Sequence, residues 1–62
     1  MDSLHYAAEA ARHRKVAEEF RMMAATTPHV ALREQYLALA KGYDQLAENE
    51  DMVAANLSKI SD

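Results

Sequence analysis

Ala24-Ala25-Thr26-Thr27-Pro28-His29-Val30-Ala31-Leu32 is the stretch that decides the fold. Thr27 followed by Pro28 is a helix restart signal, because Thr suits a cap and Pro suits the first helical position. On the near side an apolar ladder runs Tyr6, Ala10, His13, Ala17, Phe20, Ala24. On the far side a second runs Leu32, Tyr36, Leu39, Tyr43, Leu46, Glu50, Val53, Leu57, Ile60. Both step alternately by four and three, which keeps one stripe of an α-helix facing a partner helix. The expectation is an all-α, antiparallel helical hairpin, with helices over about 3–25 and 28–48 or beyond. Residues 50–62 are then either an extension of the second helix or a frayed tail of the same single domain, 1–62.

Folded at Thr27-Pro28, the ladders pair in one register. Ala24 faces Leu32, Phe20 faces Tyr36, Ala17 faces Leu39, His13 faces Tyr43, Ala10 faces Leu46, and Tyr6 faces Glu50. Large against small is what close packing between helices needs. Gly42, costly inside a helix, suggests a packing contact. Leu57 and Ile60 extend beyond the reach of the first helix. Leu4, Ala11, Met22, Val30 and Leu37 fall off the stripe and also need cover. A 62-residue hairpin buries little, so association into a two-chain, four-helix bundle is expected. The residues assigned to the core and dimer stripe are Tyr6, His13, Phe20, Leu32, Tyr36, Leu39, Tyr43, Leu46, Val53, Leu57 and Ile60.

Composition narrows the function classes. There is no cysteine, so neither a disulfide framework nor a thiolate metal site is available. One glycine and one proline leave no loop-rich fold. No secretory pattern opens the chain and no run reaches membrane-spanning length, so the cytoplasm is the expected compartment, with no membrane partner. A formal charge of −3 disfavours nucleic acid.

From Arg14 to Glu48 the chain resembles a group of small, uncharacterised bacterial α-hairpin proteins. The resembling residues are Arg14, Ala17-Glu18-Glu19, Arg21, Ala24 and Pro28, then Arg33, Leu37, Leu39-Ala40, Tyr43 and Leu46-Ala47-Glu48. His13 and Thr26-Thr27 depart from the basic and acidic residues of that pattern. The resemblance implies the hairpin fold; the group carries no assigned activity.

Few residues point to chemistry. His5, Glu9 and His13 recur every four residues, a spacing that shares one helical face and suits a divalent metal. His13 lies on the core stripe, however, and the second helix adds only Glu50, so no metal or other cofactor is expected. His13 and Tyr43 read instead as a polar core layer that fixes register, with pH-sensitive association the functional alternative. Arg12, Arg14, Lys15 and Arg21 make the first helix locally basic, and are the candidates for a nucleic-acid-binding regulator. They spread round the helix at three- and four-residue spacings from Glu9, Glu18 and Glu19, the pattern of a salt-bridged, solvated face. No nucleophile with a base, phosphate loop or carboxylate pair is visible, so the chain is read as a non-enzymatic interaction module. Its expected partner is itself, then another protein.

Overall fold

The computed structural model describes residues 2–61; Met1 and Asp62, the ends of the expected domain, lie outside the described residues. Two helices account for almost all of it: α1, Asp2–Thr26, and α2, Val30–Ser61. Alanine, glutamate, arginine, leucine and methionine fill both, and these are the strongest helix formers. Helix α2 runs unbroken past residue 50, so residues 50–61 extend the second helix and are not a frayed tail.

The turn is built by local hydrogen bonds. Thr26 donates its hydroxyl to the Met23 carbonyl at 3.2 Å, and the Thr27 amide donates to the same carbonyl at 3.1 Å. Thr27 Oγ1 accepts the His29 amide at 3.3 Å, a local turn that stands just ahead of the helix where an N-cap was expected. The first carbonyl to accept a helical bond is that of His29, from the Arg33 amide at 2.9 Å. The helix α2 therefore begins at Val30, two residues later than Pro28, with His29 as the residue whose carbonyl opens the ladder.

Packing between the helices rests on alanine. Ala10, Ala17 and Ala24 of α1 and Ala40 and Ala47 of α2 are the buried apolar residues, with Ser3 and His13 beside them. Ser3, Ala10, Ala17 and Ala24 are spaced by sevens, as are Ala40 and Ala47, so small side chains line the seam on both helices. No large side chain is fully buried among the described residues.

This corrects the layering expected for α2. Leu39 and Leu46 are not opposite Ala17 and Ala10; they are 46% and 41% exposed. Val53 and Ile60 are exposed too, and Leu32 is only half-buried. The α2 stripe steps through Tyr36, Ala40, Tyr43, Ala47, Glu50, Ala54 and Leu57, all buried or half-buried. Buried alanines on both helices permit a close approach, within the ~8–10 Å usual between packed helix axes. A leucine no longer fits between them and is turned to the shoulder.

The aromatic layers keep the expected pairs and add new ones. Phe20 lies 6.0 Å from Tyr36 and 5.8 Å from Tyr43 between ring centroids, and His13 lies 5.7 Å from Tyr43. Each α1 ring thus falls between two α2 positions, about half a heptad from one-to-one pairing. By the same step Tyr6 falls level with Glu50 and Leu57. Leu57 is accordingly half-buried, where no cover was expected, while Ile60 is 81% exposed. A side chain added at Gly42 would meet nothing within 4 Å, so packing inside the hairpin does not require that glycine.

Candidate functional site

One flank of the hairpin is closed by charge. Arg14 and Arg21, seven apart on α1, reach Asp51 and Asp44, seven apart on α2, each at 2.6 Å. Arg21 also holds Glu18 at 2.8 Å. Hydrogen bonding to Asp51 and Asp44 raises the already high pKa values of Arg14 and Arg21. Equal spacing on antiparallel helices makes both pairs possible in one register. That opposed seven-residue spacing was the signal in the sequence for them.

A polar chain crosses the middle of the seam. His13, 8% exposed, places Nδ1 2.7 Å from Glu50 Oε1. Its Nε2 lies 2.9 Å from Arg12 Nη2. A guanidinium only donates, so Nε2 is the accepting nitrogen and the ring proton sits on Nδ1, donated to Glu50. Arg12 also grips Glu9, at 2.9 Å through Nη2 and 3.2 Å through Nε. The guanidinium holds the Glu9 carboxyl below its ordinary pKa of 4.5, chiefly through that hydrogen bond, and Arg12 is raised in return. The result runs Glu9, Arg12, His13, Glu50, with both imidazole nitrogens satisfied and no buried polar side-chain atom unpaired among the described residues.

Glu50 thus finds His13 across the seam, where Tyr6 was the expected neighbour. The half-heptad offset is the cause, since it lays His13 between Tyr43 and Glu50. Of the three residues at four-residue spacing, His5 stays outside the network and sets its ring against Tyr6 at 5.3 Å. Glu9, His13 and Glu50 offer ligand atoms within 4.8 Å of one another, the right donors for a divalent cation. The space is already occupied by a cation of the protein itself: Arg12 Nη2 lies 2.9 Å from both Glu9 and His13. The same contact covers Nε2, the nitrogen that a carboxylate-oriented imidazole would present to a substrate.

The candidate nucleic-acid residues are dispersed by the fold. Arg12 is tied to Glu9, Arg14 to Asp51 and Arg21 to Asp44 and Glu18, while Lys15 stands exposed on the outer face. A groove of about 330 Å³ opens beside the turn, lined by Arg21, Ala24, Ala25, Arg33 and Leu37. Arg33 in it donates to the Thr27 carbonyl at 3.3 Å. No described helix is long and apolar enough to cross a membrane.

No family model, curated protein or solved structure matches the chain.

Proposed function

We propose that this hairpin is a non-enzymatic protein–protein interaction module that associates with itself, two hairpins making a four-helix bundle. The observation that carries this reading is the imbalance of its apolar side chains. The buried apolar residues are all alanines, while ten large apolar side chains remain exposed among the described residues. Alanine burial contributes little transfer free energy per residue, and a chain of this size needs additional burial to hold its fold.

The basic residues of α1 favour this reading over nucleic-acid binding. Three of the four face carboxylates at 2.6–2.9 Å, so contact with phosphate would first break an ion pair. Light scattering across a hundredfold concentration range tests the proposal: a persistent two-chain mass is expected, and a monomer throughout overturns it.

A further inference from the structure

We infer that the flank opposite the Arg14–Asp51 and Arg21–Asp44 pairs is the surface that binds, and that its occupant is a second copy of this chain. The inference rests on the self-association proposed above and assigns it a face. In an antiparallel pair of heptad helices the two flanks of the seam are distinct rows. The closed flank carries Arg14 and Arg21 against Asp44 and Asp51. The opposite flank carries Val16 and Met23 on α1, and on α2 Leu32, Leu39, Leu46, Val53 and Ile60, every seventh residue.

These shoulder residues are neither core nor scattered surface. Val16 and Leu32 are half-buried, and Met23, Leu39, Leu46 and Val53 are between 39% and 46% exposed. Ile60, at the end of the row, is 81% exposed. About half or more of each of the others already rests on the hairpin, so a second layer would complete their burial with little further ordering. Leu4, Met22 and Met52, at 63–80% exposure, lie on outer faces and form no such row.

Area favours a second copy as the occupant. The chain exposes 4520 Å², where a compact monomer of 7.0 kDa exposes about 4,000 Å². Its radius of gyration is 14.4 Å, against about 10.6 Å for a compact 62-residue domain. The row from Leu32 to Ile60 is about 42 Å long at 1.5 Å per residue, and two helices side by side are about 20 Å across. That face supplies about 800 Å², one partner's share of a standard stable interface. A second hairpin, 48 Å long, covers it end to end.

Charge favours a second copy as well. A two-fold interface sets each patch against itself, so a face of one sign would repel its copy. The α2 rim beside the row is Gln35, Gly42, Asn49 and Asn56, all uncharged. On the α1 side Glu9 is neutralised by Arg12, leaving Asp2 at the far end and Glu19 on the rim. The closed flank, by contrast, would have to bury four charges on each chain.

The test compares the dimer dissociation constants of three full-length chains by sedimentation, with helicity measured alongside. In the first, Leu39→Ala with Leu46→Ala removes flank surface while improving helix propensity. In the second, Met22→Ala with Met52→Ala does the same on the outer faces. The third is the native chain. The expected result is association weakened at least about a hundredfold in the flank variant, with native-like affinity in the outer-face variant. Native-like affinity in the flank variant overturns the assigned face and leaves self-association standing. Equal weakening in both variants also overturns it. A native chain that stays monomeric overturns self-association itself, and the face with it.

Discussion

His13 on α1 and Glu50 on α2 meet at 2.7 Å across the hairpin, each almost enclosed, with 10% and 14% of their side-chain surface exposed. The imidazole donates from Nδ1 and accepts from Arg12 at Nε2, so one hydrogen-bonded path joins an exposed arginine to a carboxylate on the other helix. Removing Glu50 leaves the enclosed Nδ1 of His13 without its acceptor, and removing His13 takes from Glu50 its bond across the seam. Glu50→Ala is expected to cost about 1–3 kcal/mol. Urea unfolding checks it, and the cycle with His13→Ala should return a coupling of about 0.5–3 kcal/mol. Additive effects would mean the two side chains act independently.

Acid should act on α1 through Glu9. Its folded pKa lies below the ordinary 4.5 because the charged form accepts hydrogen bonds from Arg12. A depressed carboxyl contributes stability above the unfolded pKa and loses it as pH falls through the folded value. Helicity of the native chain should therefore decline on acidification below about pH 4.5, and Glu9→Gln should lower stability at neutral pH and flatten that decline. An unchanged acid limb in Glu9→Gln would assign the decline to other carboxyls.

The cross-helix pairs predict a charge-swap result. Arg14→Asp places two carboxylates together and should destabilise the hairpin, and adding Asp51→Arg should restore it. Exposed pairs of this kind are weak and salt screens them, so the effects should be small and largest at low salt. Thermal melts at low and high salt measure both the loss and its recovery. Failure of the double swap to recover at low salt would count against the pairing.

Two substitutions on α2 should move stability in opposite directions. Ala40→Leu forces a large side chain into the alanine seam and is expected to cost about 1–3 kcal/mol or more. Gly42→Ala adds a methyl group into open space and should stabilise by about 1 kcal/mol. Denaturation midpoints decide both. A neutral Ala40→Leu would mean the helices sit farther apart than the burial of Ala40 indicates.

Zinc should leave the native chain's melting temperature unmoved, because the Arg12 guanidinium occupies the space between Glu9 and His13. A rise with zinc that disappears in Glu50→Ala would show that arginine yields the site to a metal.

The two helices and the turn were legible because Thr27-Pro28 and the apolar spacing are local signals. On α1 the ladder identified Ala10, His13, Ala17 and Ala24, all buried. That helix has few large apolar residues to compete with its alanines. On α2 the same method favoured Leu39, Leu46 and Val53 over Ala40, Ala47 and Ala54, one residue further on in each case. Hydrophobicity ranks leucine first, but a close helix pair selects by size, and the spacing between axes is a tertiary quantity. The offset hid Glu50's neighbour as well. Glu9–Arg12 and Arg21–Glu18 could be anticipated from spacing within one helix. Arg14–Asp51 and Arg21–Asp44 required the register to be known to half a heptad.

The alanine seam has one further consequence. Identical small steps every seven residues make a track with no stop of its own, and sliding one helix along the other by a heptad brings alanine to alanine again. Only the polar contacts mark the position. After such a slip Arg14 meets Asp44 but Arg21 meets Leu37, or Arg21 meets Asp51 but Arg14 meets Ser58, and His13 no longer has Glu50 at its proper level. The short turn at Thr27-Pro28 supplies the remaining constraint. Were the chain cut there, the two helices would be held in phase by a histidine and four charges, index marks on an otherwise uniform scale.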